Sequence, residues 1–262
     1  MNFFRSSAAV TLVLVVMGVL PGCATTQEPG DPRDPWEGFN RAVFEFNEAA
    51  DKAVIRPLAV GYVRVTPRPV RNSVGNFFAN LGDVTNLFNN LLQFKFDAAA
   101  NDFGRLAFNT TFGLLGAIDV ATHMDLPKSN QDFGQTLGYW GVPPGPYVVL
   151  PFLGPSTVRD TPTRYVDART NPLYYHNNRG RRNIAAGVSI VDTRAGFLST
   201  ERVLEDIAPD RYIALRNFYL DRREYLIHDG EVPGRDWGAD LFDELEEMEA
   251  MEAEERREEE RQ

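Results

Sequence analysis

Between Val74 and Leu92 apolar side chains return every three or four residues, at Val74, Phe77, Phe78, Leu81, Val84, Phe88, Leu91 and Leu92. An α-helix imposes that period on one of its faces, so the stretch reads as one long helix. The opposite face holds Asn76, Asn80, Asp83, Asn86 and Asn90. It is almost uncharged, unlike the solvent face of an ordinary soluble helix. Helices of this kind suit a membrane boundary, because they carry no charge into lipid. Phenylalanine numbers 18 and often sits beside asparagine, as in Phe39-Asn40, Phe46-Asn47, Asn76-Phe77, Phe88-Asn89 and Phe108-Asn109. Rings interleaved with neutral amides fit a surface that meets both lipid and water. Composition alone favours the plainer reading, in which Phe fills a core and Asn caps helices and turns.

The rest of the chain also reads as helical. Asp34-Pro35 looks like an N-cap followed by proline in the first helical position. Val43, Phe44, Phe46, Ala50 and Val54 then mark an amphipathic helix up to about Ile55, which Arg56-Pro57 breaks. A short helix runs from Leu58 to Val65, before breaks at Pro67 and Pro69. Asp97 is read as the cap of a further helix, with Phe103, Leu106, Ala107, Thr110 and Leu114 along one side. Between 123 and 155, Gly134, Gly138, Gly141, Gly145 and Gly154 alternate with Pro143, Pro144, Pro146, Pro151 and Pro155. That density resists a regular helix or a central strand. A loop of this length in a compact domain is usually functional. Val148 to Phe152 is extended and apolar. Helix resumes after Ser156, read as a cap, through Ala168. Further helices are expected at about Arg181–Phe197, Thr200–Ile207 and Pro209–Ile227. Leu241–Met251 also reads as a helix.

Cys23 is the only cysteine, so no disulfide can form within the chain. It ends the stretch Leu20-Pro21-Gly22-Cys23, behind Arg5 and an apolar run from Ala8 to Leu20 that is too short to span a bilayer. Residues 1–22 therefore read as a lipoprotein signal, Cys23 as the acylated residue and 23–34 as a tether. Pro21 departs from the usual box. The plain alternative is an ordinary secretory signal with Cys23 incidental. Ala24 is compatible with an outer-membrane destination. The formal charge of −10 is carried by the C-terminal tail, whose last 27 residues hold 13 acids against 3 arginines. The body is close to neutral. Within it, Arg159, Arg164, Arg169, Arg179, Arg181 and Arg182 face only Asp160 and Asp167 in sequence. That region could meet phosphate headgroups or simply be a solvated surface.

Catalytic patterns are lacking. His123, His176 and His228 are isolated from one another, and no His-Glu-x-x-His or Cys-x-x-Cys spacing occurs. Gly187-Val188-Ser189-Ile190-Val191 matches only the first half of a nucleophile elbow. No metal, cofactor or nucleic-acid partner is expected.

One stretch is specific. Phe133-Gly134-Gln135-Thr136-Leu137-Gly138-Tyr139-Trp140-Gly141-Val142, followed by Gly145 to Asp160 with Pro146, Tyr147, Leu150, Pro151, Gly154, Arg159 and Asp160, closely resembles the signature of the MlaA (VacJ) outer-membrane lipoproteins. Asp34 to Arg41 with Phe44, Phe46 and Asn47 resembles that family's opening motif, and Arg56-Pro57 and Gly116 to Ala121 match further motifs. Pro143-Pro144 departs from a more Gly-rich version of the loop. The similarity runs from about Asp34 to Gly230. It implies an all-α, ring-shaped bundle of amphipathic helices lying in the membrane plane around a central channel, over residues 35–230, with an acidic tail at 231–262. It further implies a non-enzymatic lipoprotein on the periplasmic leaflet of the outer membrane. There it would remove misplaced phospholipid from the outer leaflet, associate with a trimeric porin and hand lipid to a periplasmic carrier protein. By match to the family, Phe44, Phe46 and Asn47 influence the channel, and Gly138, Gly141 and Gly145 fall in a gating hairpin loop. A plain turn requirement explains those glycines equally well, and Arg159–Asp160 reads first as a structural ion pair. A lipoprotein that stabilises porins without passing lipid is the alternative, and a phospholipase is a third reading.

Overall fold

The computed structural model describes residues 31–207 and 210–232. The expected signal segment, Cys23, the start of the tether, the helix at 241–251 and nearly all of the acidic tail lie outside those residues. Apart from one two-stranded hairpin, the described chain is helical, as the all-α reading requires. No helix among the described residues is long and apolar enough to cross a membrane.

Helix α1 (Glu37–Ala50) passes through a π-helical turn (Asp51–Ile55) straight into α2 (Arg56–Val65). The expected break at Arg56-Pro57 is absent. Proline lacks an N–H and crowds the carbonyl four residues back. Here Pro57 falls in the first turn of α2, and the wider π turn before it absorbs the mismatch. Thr66 is extended and ends α2. Pro69 does not break structure either; it lies in the first turn of α3 (Arg68–Leu92), where a missing donor costs nothing. Asp34 is not a cap. Its carboxylate accepts from Asn40 at 2.7 Å, from the Tyr212 hydroxyl and from Arg216, while α1 starts three residues later without a side-chain cap. Asp97 likewise sits inside the first turn of α4 (Phe96–Thr111), and Lys95 holds the cap position.

Helices α3 and α4, joined by the short turn 93–95, pack side by side with their polar faces inward. The buried residues of α3 are Asn80, Asp83, Asn86, Asn89 and Asn90; those of α4 are Ala99, Asp102, Arg105 and Asn109. None of the apolar stripe from Val74 to Leu92 is buried. Phe103 is 61% exposed and Phe112 67%. The composition-based expectation of core Phe and capping Asn is therefore wrong: in this hairpin the amides fill the interior and the rings face out. Among the described residues the buried apolar side chains are three alanines, two tyrosines and two valines.

The Gly/Pro-rich stretch is more ordered than expected. It contains a short helix, α5 (Phe133–Tyr139), capped by Asp132, whose side chain accepts the Gln135 N–H at 2.8 Å. A hairpin follows, with β1 (Tyr147–Leu150) antiparallel to β2 (Gly154–Thr157) and Tyr147 opposite Thr157. Ser156 and Thr157 belong to β2, so the next helix, α6 (Asp160–Thr170), begins later than expected. Arg159 holds the cap position without a side-chain cap bond, and the Asp160 N–H donates to the Thr157 hydroxyl at 3.1 Å. The two segments expected at 181–197 and 200–207 are one helix, α7 (Arg179–Ile207). Helix α8 (Arg211–Ile227), capped by Asp210, completes the described fold. A small apolar core of Tyr147, Val149 and Tyr212, flanked by Val43, Phe44, Tyr219 and Leu220, joins α1, β1 and α8.

Candidate functional site: a clasped hairpin beside a buried polar interior

The hairpin is held to α1 by two asparagine side chains that imitate a strand edge. Asn40 donates to the Tyr147 carbonyl at 3.1 Å and accepts the Val149 N–H at 2.8 Å. Asn47 donates to the Leu150 carbonyl at 3.0 Å and accepts the Phe152 N–H at 2.7 Å. The spacings explain the fit. Seven helical residues advance about 10.5 Å, and three strand residues advance about 10 Å. The two amides therefore stand one above the other at the repeat the strand offers. The i, i+7 recurrence of Phe-Asn at 39–40 and 46–47 was the available sequence signal for Asn40.

The other family-matched residues gather around this clasp. Phe44 packs edge-on to Tyr212, with centroids 5.8 Å apart, and belongs to the small core. Phe46 is exposed and meets Phe152 at the hairpin tip, edge-on at 5.1 Å. The glycines fall in two settings. Gly138 lies inside α5, where a Cβ would sit 2.6 Å from Ile227 and 2.8 Å from Arg159, so close packing demands it. Gly141 and Gly145 lie in the connection to β1 at φ +84° and +66°, a backbone state that favours glycine. Pro146 accepts the Val158 N–H at 3.0 Å, Pro151 lies in the hairpin turn, and Gly154, at φ +75°, begins β2.

Beneath the hairpin, Asp160 is a hub. Arg159 Nε lies 2.8 Å from it, Arg223 Nε 3.1 Å, and the Tyr219 hydroxyl donates at 3.0 Å. Arg223 continues to Asp132, whose pKa burial would raise but whose bonds to this guanidinium hold below the usual carboxylate range. Arg159 also donates to the Val142 carbonyl at 3.0 Å, tying the Gly141–Gly145 connection to the network. Sequence reading missed Asp132 and Arg223, which come from segments 91 residues apart.

The α3–α4 interior is a second network. Arg105, 1% exposed, reaches Asp83 at 3.8 Å, Asp119 at 3.0 Å and the Leu126 carbonyl at 2.5 Å. Burial pushes Asp83 up to about 6, against the pull of Arg105, and pushes Asp102 up as well. Asn80 Oδ1, Asp83 Oδ2, Asn90 Oδ1 and Asp102 Oδ1 find no donor among the described residues, so the network keeps unused acceptor capacity. Asn86 borders an open recess of about 370 Å³ with Ala79, Gly82, Lys128, Ser129 and Asn130. His123 Nδ1 lies 3.0 Å from the Asp119 carbonyl, and His176 Nδ1 accepts the Asn178 N–H. The described residues contain no cluster of metal-ligating side chains.

Residues 32–226 match the family model for the MlaA lipoprotein. An uncharacterized protein of Rickettsia felis is 36% identical over 192 residues, covering 73% of this chain and 76% of the relative. The intermembrane phospholipid transport system lipoprotein MlaA of Escherichia coli is 34% identical over 223 residues, covering 82% and 86%. A solved structure from work on the structural basis for maintenance of bacterial outer membrane lipid asymmetry superposes with a TM-score of 0.67 at 34% identity. That match covers 74% of this chain and 98% of the other.

Proposed function

This chain belongs to the MlaA lipoprotein family, and from that premise we propose that it withdraws mislocalised phospholipid from the outer leaflet of the outer membrane. The E. coli relative is by name part of an intermembrane phospholipid transport system. The observation that supports the same role here is the inverted α3–α4 hairpin. Rings such as Phe103 and Phe112 face out, where acyl chains can surround them, while Asn80, Asp83, Asn90 and Asp102 offer polar groups within. A body of this kind sits in the periplasmic leaflet, positioned by acyl chains on Cys23. It provides a surface for the headgroup and another for the tails. Lipid passes through an amphipathic channel to a periplasmic carrier protein, beside a trimeric porin, with no bond made or broken.

In this reading the hairpin is the gate. Asn47 and Phe46 grip its tip, Phe44 fixes the helix behind it, and Gly141 and Gly145 supply the pivots between Gly138 and β1. The deciding experiment is a deletion strain assayed for phospholipid accessible at the cell surface. Surface phospholipid should rise in the deletion and return to normal on complementation. Wild-type levels in the deletion, together with failed porin assembly, would instead establish a porin-stabilising lipoprotein.

A further inference from the structure

Between Ala168 and Val191 the chain carries four arginines, one histidine and no acid. The fold turns this composition into a built surface. The Arg169 guanidinium lies 4.6 Å from the Tyr174 ring centroid and 4.8 Å from that of Tyr165. Arg182 approaches the same Tyr174 ring at 5.5 Å and donates to the Tyr174 carbonyl at 3.1 Å. One ring thus holds two cations that would otherwise repel. A guanidinium stacked on a ring keeps in-plane N–H groups free for oxygen acceptors. Arg179 and Arg181 stand beside them, exposed, with side chains that meet no carboxylate among the described residues.

The acids that flank this run in sequence, Asp167 and Asp192, make their hydrogen bonds with other groups. Asp167 is engaged by the Phe133 N–H at 2.9 Å and by Asn89, and Asp192 accepts from Tyr62 at 2.8 Å. Along α7 the arginines give way to exposed Ile184, Val188 and Ile190, and Tyr165 and Tyr175 are exposed nearby. Arginine, tyrosine and then aliphatic side chains follow the order of a bilayer interface, from headgroup to acyl region. An exposed array of this kind suits many phosphates in a plane better than one enclosed anion.

We propose that Arg169, Arg179, Arg181 and Arg182, with Tyr165 and Tyr174, form a docking surface for the phosphate headgroups of an anionic lipid bilayer. The surface sets the rotation of the body on its leaflet, and it rests on the membrane-resident role proposed above. The test uses the full chain carrying Cys23→Ala, so that no acyl chain masks the effect. Partition is measured onto vesicles of phosphatidylcholine with and without phosphatidylglycerol. Wild-type residues at the patch should give stronger binding when phosphatidylglycerol is present. Arg179→Gln with Arg181→Gln should remove roughly 25-fold of that binding, leave binding to pure phosphatidylcholine unchanged, and be rescued by the corresponding double lysine variant.

Equal binding to the two vesicle types overturns the headgroup surface and leaves the membrane role standing. So does an anionic increment that survives in the glutamine variant, which would point to another surface. A loss of equal size on both vesicle types also overturns it. A protein that binds neither vesicle overturns both the surface and the reading of a body embedded in the leaflet.

Discussion

The hairpin end of the molecule and its α3–α4 end are built on opposite rules. Around Tyr147, Val149 and Tyr212 the chain buries rings and a valine against Val43, Phe44 and Leu220, as a water-soluble domain does. Across the α3–α4 interface it buries Asn80, Asp83, Asn90, Asp102 and Arg105 and turns Phe103 and Phe112 outward. In water the second arrangement forgoes most of the usual hydrophobic gain. In a leaflet it loses nothing, because lipid tails take the place of an apolar core. On the function proposed above, the contrast separates the part of the chain packed for water from the part packed for lipid.

The sharpest test reverses the usual ranking of core and surface substitutions. Arg105→Met leaves Asp83 and Asp119 without their buried cation and should cost about 3–5 kcal/mol in urea unfolding. Phe103→Ala, a loss of a large ring, should cost no more than about 0.5 kcal/mol in the same assay. A larger cost for Phe103 than for Arg105 would erase the distinction between the two ends.

At the hairpin end the clasp can be taken apart. Asn40→Ala removes the bonds to Asp34, Tyr147 and Val149 and should cost about 2–3 kcal/mol. Asn47→Ala should cost about 1–2 kcal/mol and speed hydrogen exchange at Phe152 more than at Val149. Tyr147→Phe serves as the control, since that hydroxyl has no partner among the described residues. It should not destabilise the protein, because the hydroxyl it removes is buried without such a partner.

Stability should also depend on pH. Burial holds Asp83 and Asp167 at about 6, above their ordinary value of 3.8. Between about pH 4 and 6 the folded protein therefore binds more protons than the unfolded chain, and these two groups lower stability as pH rises through that window. Asp31, whose bonds from Arg33 bring it to about 2, works the other way. So does Asp119, which reaches about 2 because Thr122, Asn109 and Arg105 outweigh its burial. Their stabilisation is present above about pH 4 and is lost as pH falls toward 2. The thermal midpoint should rise modestly from pH 7.5 to 5 and fall below 4. Asp83→Asn should flatten the first of these slopes.

The boundary between what could be read from the sequence and what could not follows the same contrast. Periodicity located α3 because period is indifferent to which face is buried. For the same reason it could not say that Asn80 points in and Phe88 out; that depends on the solvent, which a single sequence does not state. Proline rules misjudged Arg56-Pro57 because a π turn is available to a helix under local strain. Asp34 resembled a cap because capping is local, whereas its actual partners, Tyr212 and Arg216, come from the far end of the chain. The Gly/Pro stretch concealed α5 because Asp132 and Gln135 supply a cap that composition does not weigh. Phe44, Phe46, Asn47 and the three glycines were nameable from motif alone. The clasp that relates them required two asparagines to be seen against a strand.

The amide-filled interior also has a calorimetric consequence. Exposing apolar surface raises the heat capacity of an unfolded chain, and exposing polar surface lowers it. A body that releases mainly Asn, Asp and Arg on melting should show an unfolding heat-capacity increment below the usual ~12–15 cal/mol/K per residue. Its stability would then vary with temperature along a broad, shallow curve, and it would resist cold better than its small apolar core suggests.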